Sequence, residues 1–570
     1  MLHLECLTFT CLLAEGARKF AHRPCLSDLS GQSFTYAELH AASNSLGLWL
    51  QEQGIGFGDR VVLIAENCPH WGVAYYAITC MGAVVVPVLT EFHADAMAHI
   101  IRHSEAKAVF VSEKMLTKIE GSAFESSPLF LSIENFSIID RSINLEPARR
   151  RQAAVHESRK VKDKDRRSTA HARTPDENDL AAIIYTSGTT GHSKGVMLSH
   201  KNIIADAMSS KKVETIYETD SFLSVLPLPH TYECTVGLTL PLLNGAQVTY
   251  LGKPPTARVL LPALAKVRPT LILTVPLVLE KIYKNAILPK LTATPLSRFL
   301  LKFGPTRSLL IRLAGKKLLE LFGGRLRACA VSGAPLAADV ERFLFEARFP
   351  YVIGYGLTEA SPLVSATSIV GPRLGSTGQA VSGVSLRIDA PDPVTGVGEV
   401  LVKGPNVMLG YYKDEALTAE TIIDNGWLRT GDLGALDADN YLAIRGRLKN
   451  MILGPSGENI YPEEIESFFF TFPEVAESMV FTSNGKVTAR VHLDGEVLDS
   501  RFGHLPLDEQ RAQIETLLEN IRKKVNSKVS SFARINRIIQ QAEPFEKTAT
   551  QKIKRYLYVE NYGATPVVNE

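Results

Sequence analysis

Short apolar runs alternate with segments of helical periodicity along most of the chain, up to about residue 445. The runs include DRVVLIAE, AKAVFVSE, LAAIIYTSG, SFLSVLPLP, LRACAVSGAP and YVIGYG, and several end in small or polar residues. This alternation is typical of α/β folds, in which ligand-binding loops lie at the carboxyl ends of parallel strands. It predicts a large α/β region of subdomains built on parallel sheets.

The pattern changes twice towards the C-terminus. Between about 375 and 445, Gly-punctuated segments such as GEVLVKG and YLAIRGR predict a small β subdomain or barrel. After about 449, EEIESFFF predicts a helix, KVTARVHLD alternates as a half-buried strand does, and 508–526 has helical periodicity. We therefore predict a large domain over 1–448 and a small, mobile C-terminal α+β domain over 449–570.

One apolar stretch has the length of a membrane span. WGVAYYAITCMGAVVVPVLT, 71–90, carries no charge over its 20 residues, but Gly82 and Pro87 interrupt it. We predict a buried helix, a turn at Gly82 and a core strand instead. The first twenty residues lack the basic region of a signal peptide.

Composition narrows the function classes further. The net charge of +2 gives no argument for nucleic acid. The seven cysteines form no CxxC pair, which argues against a disulfide framework or a zinc site and favours a reducing cytoplasm. Residues 149–173 hold ten Lys or Arg and three Asp or Glu. A solvated surface loop is the prediction there; contact with anionic lipid at the inner membrane face is the alternative.

The stretch YTSGTTGHSKGVMLSH, 185–200, combines glycines, hydroxyl side chains and a lysine directly after an apolar strand. Ile203, Ile204, Ala207 and Met208 share one helical face, so we predict that the loop joins this strand to a helix. Free backbone N–H groups, hydroxyls and Lys194 suit a polyphosphate. The Walker spacing is absent, and an exposed flexible loop is the alternative for this stretch alone.

Four further stretches carry candidate chemistry. They are LPLPHTYE at 226–233, GYGLTE at 354–359, WLRTGDLG at 427–434 continuing to 466, and FEKTATQKIKRY at 545–556. Glu359 offers a hard oxygen for Mg²⁺, and Arg447 can donate in a fork to an anion or a sugar. Taken singly, each has an ordinary structural explanation: a satisfied histidine, a Gly-rich turn, a turn aspartate and a solvated basic face.

Taken together, the five stretches resemble the adenylate-forming superfamily of acyl-CoA synthetases, nonribosomal peptide adenylation domains and luciferases. The resemblance runs from about residue 10 to 556, with the motifs in the family's order. NMILGPSGENIYPEEIE and RPTLILTVPLVLEKIY at 268–283 are most similar to bacterial long-chain fatty acid–CoA ligases. The resemblance implies a reaction in which ATP and a fatty acid form an acyl adenylate, which coenzyme A then converts to a thioester.

The resemblance also implies roles for individual residues. The phosphate loop that embraces the β- and γ-phosphates of ATP would consist of Thr186, Ser187, Gly188, Thr189, Thr190, Gly191 and Lys194. The strand end that contacts adenine would be Ser332, Gly333, Ala334 and Pro335.

Further roles follow for single side chains. Tyr355, beside Gly356, would stack on adenine, Thr358 would contact the α-phosphate, and Glu359 would bind Mg²⁺. The ribose would meet Asp432 and its neighbour Arg447, and His230 would border the acyl site. Two lysines complete the set, with Lys449 as the hinge between the domains and Lys552 as the catalytic lysine of adenylation.

Two positions depart from the family pattern. Ser193 stands where the phosphate loop usually has proline, and Gln551 stands where glycine usually precedes the catalytic lysine. The second departure leaves Lys547 and Lys554 as alternatives to Lys552.

Other functions stay open at this level. The acceptor could be an acyl carrier protein instead of CoA, and the acid could be medium-chain or aromatic. HTYE at 230–233 lacks the aspartate expected to hold an α-amino group, which disfavours amino acids. A non-catalytic binding protein on the same fold is the alternative from another class. Peripheral membrane contact is compatible with a lipid substrate, and the oligomeric state is not encoded in any pattern found.

Overall fold

A nine-stranded sheet forms one half of the large α/β region. The computed structural model describes residues 2–119, 128–139, 173–187, 193–454, 458–548 and 552–559. Six central strands run parallel, and short antiparallel strands close both edges. In sheet order the strands are Gln379–Ala380, Leu363–Ala366, Tyr351–Gly356, Ala328–Val331, Leu271–Thr274, Ser221–Ser224, Gln247–Tyr250, Pro24–Asp28 and Ser33–Thr35.

A seven-stranded sheet forms the other half. Five of its strands run parallel, and two antiparallel strands extend one edge. In sheet order they are Gly410–Tyr411, Ser193–Ser199, Leu180–Ser187, Val84–Pro87, Arg60–Ile64, Ala108–Val111 and Leu129–Ser132. The two parallel sheets confirm the predicted α/β class.

Smaller sheets follow towards the C-terminus. A five-stranded antiparallel sheet contains Ser385–Asp389, Gly398–Lys403, Trp427–Leu436, Ile422–Ile423 and Leu442–Arg447. A two-stranded ribbon pairs Ile452–Leu453 with Asn459–Ile460, and a three-stranded sheet joins Val475–Ser483, Lys486–Leu493 and Arg537–Gln541.

Helices cover the sheets. The α-helices are Phe9–Phe20, Tyr36–Glu52, Pro69–Cys80, Ala94–His103, Glu113–Ile119, His200–Ser210, Leu240–Asn244, Ala257–Val267, Pro276–Ile282, Leu288–Leu291, Pro295–Leu300, Gly304–Leu321, Ala338–Glu346, Glu415–Thr421, Pro462–Phe469, Gly495–Phe502 and Leu507–Asn526. Two π-helices span Tyr232–Thr239 and Tyr283–Ile287, and 3-10 turns span Thr358–Ala360, Leu448–Asn450, Ser531–Ala533 and Arg555–Leu557.

The apolar stretch 71–90 is a core helix and strand, as predicted. The helix Pro69–Cys80 is buried almost all round, and Val84–Pro87 is a fully buried strand of the seven-stranded sheet. Gly82 makes the turn between them with φ +83, a conformation that glycine adopts without strain. Among the residues that the structure describes, no helix has the length and apolar character to cross a membrane.

The C-terminal part has a hydrophobic cluster of its own. Val487, Ala489, Val491 and Leu493 point inward, as their alternation predicted. The helix Leu507–Asn526 covers them with one apolar face. This separate cluster is what a small domain needs, because burial of its own apolar side chains is its main source of stability.

The structure corrects the prediction that the Gly-rich loop joins a strand directly to a helix. A second strand, Ser193–Ser199, pairs antiparallel with Leu180–Ser187, and the helix His200–Ser210 begins only after it. Val196 and Leu198 alternate inward on this strand, a two-residue period too short to stand out beside the helical pattern that follows. The helix N-terminus therefore does not lie at the loop.

The structure contains one local disulfide, between Cys6 and Cys11, that the sequence analysis did not anticipate, while the other five cysteines are free. The chain turns at Thr8, whose side chain caps the helix Phe9–Phe20 by accepting from Cys11 N at 3.2 Å, and this turn brings the two sulfurs together. Cysteine spacing alone does not reveal such a turn.

The basic stretch 149–173, apart from Arg173, lies outside the described residues.

Candidate active site

One large cavity, of about 2440 Å³, lies where both parallel sheets, the antiparallel sheet and the C-terminal part meet. Most of the predicted site residues line it. Those on its wall are Thr186, Lys194, His230, Ser332, Gly333, Ala334, Pro335, Tyr355, Gly356, Thr358, Glu359, Asp432, Arg447, Lys449 and Lys552. Gly188, Thr189, Thr190 and Gly191 lie outside the described residues, and only the backbone of Ser187 is described.

Strand ends position the predicted adenine contacts. Ser332 directly follows the parallel strand Ala328–Val331, and Tyr355 lies near the end of its neighbour Tyr351–Gly356. Gly333 has φ +95, which other residues adopt only at a cost. These residues therefore meet at the carboxyl edge of the sheet, where open α/β sheets bind ligands.

A tyrosine, an aspartate and an arginine form a tight group on one wall. Asp432 is buried; its Oδ2 accepts from the Tyr355 hydroxyl at 2.7 Å, and its Oδ1 pairs with Arg447 Nε at 2.7 Å. Antiparallel pairing places Asp432 directly opposite Arg447. Burial raises the pKa of Asp432, while Arg447 and Tyr355 oppose that rise. Each carboxylate oxygen keeps a second acceptor position, so the group can still accept ribose hydroxyls.

The loop that carries Glu359 is held from a distant part of the chain. Asn406 donates to the carbonyls of Ala360 and Leu363, both at 2.9 Å, and Met408 N donates to the Glu359 carbonyl at 2.9 Å. The Tyr411 hydroxyl donates to Glu359 Oε1 at 2.9 Å. Sequence reasoning missed Asn406 and Tyr411, because no local pattern connects GPNVMLGY with GYGLTE.

Glu359 fits a Mg²⁺ ion that enters with a polyphosphate. Across the described part of the chain, no group of three or more His, Cys, Asp or Glu could hold a metal alone. Mg²⁺ commonly takes one or two protein carboxylates and completes its shell with phosphate oxygens and water. Lys194 lines the same cavity, and its Nζ lies 5.5 Å from the ring centre of Tyr411, the residue that donates to Glu359. When bound, Mg²⁺ would withdraw negative charge from phosphate oxygens.

Lys552 enters the cavity from the C-terminal part. Its backbone is held by Thr548, whose N donates to the Lys552 carbonyl at 2.8 Å and whose hydroxyl accepts from Lys552 N at 3.2 Å. Its side chain is exposed to the cavity, but the surrounding protein removes part of its hydration. That desolvation, with the charge of Arg447, lowers the pKa of Lys552, while Asp432 and Glu359 raise it.

The two alternative lysines face other partners. Lys547 Nζ pairs with Glu477 Oε1 at 2.5 Å, and Lys554 Nζ pairs with Glu546 Oε2 at 3.3 Å. Both carboxylates belong to the C-terminal part. Of the three candidates, Lys552 is the one whose charge acts on Asp432 and His230.

Arg555 anchors the segment that carries Lys552. Its guanidinium contacts both carboxylate oxygens of Glu466, at 2.5 and 2.6 Å, and donates to the Val480 carbonyl at 3.0 Å. Nη2 makes both contacts with the carboxylate while Nη1 donates to the Val480 carbonyl, so charge-assisted bonds hold the guanidinium from two sides. Arg555 lies three residues after Lys552, so this pair is a positioning contact for the lysine.

The HTYE stretch supplies half-buried His230 and buried Glu233, and the pKa of each is shifted towards the neutral form. Burial, with the nearby charge of Lys552, lowers the pKa of His230 to about 4. Burial also raises the pKa of Glu233 to about 8, and a hydrogen bond from Ser224 only partly opposes this. Gly237 makes room in the π-helix, because a Cβ there would lie 2.8 Å from the Glu233 carboxyl carbon.

Comparison with known proteins assigns the chain to a family. The sequence profile described as AMP-binding enzyme matches residues 13–412, more than two thirds of the chain. The chain belongs to the AMP-binding enzyme family. This confirms the resemblance found in the five motifs.

Individual relatives agree with this assignment. Long chain acyl-CoA synthetase 6, peroxisomal, of Arabidopsis thaliana is 30% identical over 509 residues, 82% of this chain and 69% of the relative. The long-chain-fatty-acid–CoA ligase FadD15 of Mycobacterium bovis is 28% identical over 575 residues, which cover 93% of this chain and 91% of the relative. ATP-bound MatB from Rhodopseudomonas palustris has a TM-score of 0.72 at 25% identity, covering 96% of this chain and 98% of that one.

A further solved structure shows the shared fold. The anthranilate CoA ligase AuaEII, in complex with anthranoyl-AMP, has a TM-score of 0.75 at 22% identity, and the match covers 96% of each chain.

Glu466→Gln tests the positioning contact. Loss of the charged acceptor frees Arg555, so we expect the rate constant for adenylate formation to fall about tenfold while the KM for ATP changes less than about twofold. Glu546→Gln, which frees Lys554, is the control and should change neither. Because removing one partner of a buried pair also destabilises a fold, the melting temperature is measured in parallel. A loss of rate that follows unfolding alone contradicts the positioning role.

Glu233→Gln tests the buried carboxyl through stability. The folded pKa of Glu233, about 8, exceeds its ordinary value of 4.5, so its contribution to stability is complete below pH 4.5 and is lost as pH rises to about 8. The variant should therefore gain stability over the wild type across this range, by up to about 1.4 kcal/mol per pH unit. Urea unfolding at several pH values measures the difference in free energy of unfolding between the variant and the wild type. Glu509→Gln, at an exposed position, is the control. A stability difference that does not vary with pH would contradict the raised pKa of Glu233.

Proposed function

We propose that the chain is a long-chain fatty acid–CoA ligase that uses ATP and Mg²⁺. The observation that carries this proposal is the meeting of Lys194, Glu359 and Lys552 in one cavity with the Tyr355–Asp432–Arg447 group. Two lysines and a carboxylate for Mg²⁺ in one cavity suit a polyphosphate. A buried acceptor beside an aromatic ring suits a nucleoside.

The first half-reaction needs charge cancellation and alignment. A carboxylate oxygen of the fatty acid attacks the α-phosphorus of ATP, and the bond to the β-phosphate breaks to release pyrophosphate. The carboxylate is ionised at neutral pH, so no general base is required. Lys194 and Lys552 would stabilise the negative charge on the transferring and leaving phosphates. Neutral His230 borders the acyl site without adding a charge that would hold the carboxylate elsewhere.

The second half-reaction forms the thioester. The sulfur of coenzyme A attacks the acyl carbon, the bond between that carbon and the AMP oxygen breaks, and the thiol proton passes to solvent. We propose that the small domain, 449–570, turns about Lys449 between the two steps and withdraws Lys552. The exposed 3-10 turn Leu448–Asn450 and the separate C-terminal hydrophobic cluster support this division, with the β subdomain at about 375–445 on the large side.

A fatty acid is the substrate class that the cavity favours. Apolar side chains from several elements line it, including Val225, Leu226, Val275, Val278 and Ile282. The long-chain ligases among the relatives support the same class. An aromatic acid is the second candidate, favoured by the fold shared with the anthranilate ligase; an acyl carrier protein as acceptor is the alternative to CoA.

The cavity also indicates what limits acyl length. Tyr232, Gly354 and Leu363 line both the main cavity and a second one of about 60 Å³, which is walled mainly by apolar side chains. The Tyr232 hydroxyl is buried with no hydrogen-bond partner among the described residues. Tyr232 is the aromatic side chain among the three residues shared by both cavities, and no hydrogen bond from a described residue fixes its hydroxyl. We propose that its ring ends the acyl channel.

ATP–pyrophosphate exchange tests the proposed reaction. Purified protein is assayed with acetate, octanoate, palmitate, benzoate and mixed amino acids, each with and without CoA. We expect exchange with palmitate and CoA-dependent release of AMP. Lys552→Ala should reduce the exchange about a hundredfold or more, whereas Lys554→Ala should change it little. Exchange without turnover of CoA would indicate a carrier-protein acceptor, and no exchange with any acid would contradict the enzymatic function.

Tyr232→Ala tests the limit on chain length. Removing the ring joins the second cavity to the channel, so the ratio of kcat/KM for octadecanoate to that for dodecanoate should rise roughly tenfold. Tyr232→Phe keeps the ring and is the matched control, with an unchanged ratio. An equal loss of kcat/KM for both acids would show that Tyr232 supports the structure of the site but does not limit the acyl length.

A further inference from the structure

One segment of the chain concentrates positive charge. From 281 to 319 there is no Asp or Glu, and there are nine Lys or Arg, in a protein whose net charge is only +2. They are Lys281, Lys284, Lys290, Arg298, Lys302, Arg307, Arg312, Lys316 and Lys317. This stretch forms the helices Leu288–Leu291, Pro295–Leu300 and Gly304–Leu321.

The same helices expose large apolar side chains. Five of them are 49% to 66% exposed within eighteen residues of sequence. They are Leu296, Phe299, Phe303, Leu309 and Leu313. Phe299 and Phe303 pack against each other with ring centres 4.9 Å apart. Single exposed apolar side chains are ordinary, but five in one short segment are more than chance exposure explains and indicate an interaction site.

The helix Gly304–Leu321 separates its two faces clearly. Ile311, Gly315 and Leu318 are buried, and Gly315 lets the helix approach the Ala347 backbone, since a Cβ there would lie 2.7 Å from the Ala347 carbonyl oxygen. The opposite face carries Leu309 and Leu313, one turn apart. The core therefore does not account for these two leucines.

Exposed basic side chains alternate with the exposed apolar ones along the same segment. Lys290, Arg298, Lys302, Arg312, Lys316 and Lys317 are all exposed. Arg307 is directed inward instead and pairs with Glu346 at 2.8 Å. We name the six exposed basic and five exposed apolar residues the basic apolar surface.

In the sequence, the basic apolar surface directly follows residues that line the cavity. Leu277, Ile282 and Asn285, in the helices immediately before it, line the cavity wall. Leu277 is itself 42% exposed, so the apolar character continues from the wall to the outside.

We propose that the basic apolar surface docks the protein on an anionic lipid bilayer. Leucine and phenylalanine side chains would enter the acyl boundary, while lysine and arginine side chains would meet the negative headgroups; both contributions are needed for stable peripheral binding. Charge complementarity selects this occupant. A second copy of the chain would bring the same positive surface and would repel it, and nucleic acid would leave the five apolar side chains uncovered.

Docking in this orientation has a consequence for the cavity. The wall formed by Leu277 and Ile282 would lie next to the bilayer, where long-chain acids partition. This link to substrate delivery rests on the proposed function, but lipid binding itself does not.

Vesicle co-sedimentation of the full chain tests the proposal. At about 0.15 M salt, we expect binding to phosphatidylcholine vesicles containing about 30% phosphatidylglycerol and weak binding to phosphatidylcholine alone. Binding should weaken at about 0.5 M salt because the headgroup attraction is screened. The double variant Leu309→Glu, Leu313→Glu should lose binding on the order of tenfold.

A matched control distinguishes the loss of this surface from a general effect of added negative charge on vesicle binding. Val370 and Val394 are exposed elsewhere, at 88% and 93%, so Val370→Glu, Val394→Glu adds the same charge to two other apolar sites. It should bind vesicles like the wild type. Both double variants should keep the wild-type melting temperature and the rate of ATP–pyrophosphate exchange with octanoate, a short acid that needs no bilayer.

Three results would overturn the proposal. The first is no binding of the wild type to anionic vesicles. The second is equal binding of both double variants, which would place the contact elsewhere on the chain. The third is a wild-type dimer that Leu309→Glu, Leu313→Glu converts to monomer without a change in vesicle binding, measured by sedimentation velocity; it would make a second copy the occupant.

Discussion

The contact between Asp432, Tyr355 and Arg447 organises the site, because it joins the nine-stranded sheet to the antiparallel sheet through one buried carboxylate. A buried charge is tolerated only when its hydrogen bonds are satisfied, so the aspartate constrains both partners. Tyr355 is held at the end of its strand, and Arg447 is held at the boundary with the C-terminal part. The position of the following turn, Leu448–Asn450, depends on the same group.

Other buried polar groups lack this compensation. His230 Nδ1, Glu233 Oε2 and the Tyr232 hydroxyl are all buried with no hydrogen-bond partner among the described residues. Leaving such groups unpaired costs stability, and folds carry that cost mainly at functional sites. All three lie in HTYE, where the acyl channel is proposed to end. The π-helix that begins at Tyr232 is consistent with this, since such helices often occur at functional sites.

The helices from Pro276 to Leu321 connect the inside of the molecule with its outside. Their first turns line the cavity, and their last helix packs one face on the body and presents leucines and lysines on the other. The proposed ligase would take up an apolar acid, which partitions into bilayers, and would also bind a water-soluble nucleotide. An apolar surface beside the channel and a polar nucleotide site at the other end would serve both requirements within one cavity.

The sequence by itself determined the residue types and the order of the motifs, because each motif is a short local pattern. It predicted the parallel strands, the core helix and strand at 71–90, and the residues that would contact a nucleotide. Tertiary structure alone decided the rest. The strand Ser193–Ser199, the Cys6–Cys11 disulfide and the support of Glu359 by Asn406 and Tyr411 depend on contacts between segments with no shared local pattern. The choice among Lys547, Lys552 and Lys554 is of the same kind, because three lysines in one short segment are equivalent in sequence. Lys552 and Lys554 both line the cavity, but Lys547 and Lys554 are ion-paired with Glu477 and Glu546, and the charge of Lys552 acts on Asp432.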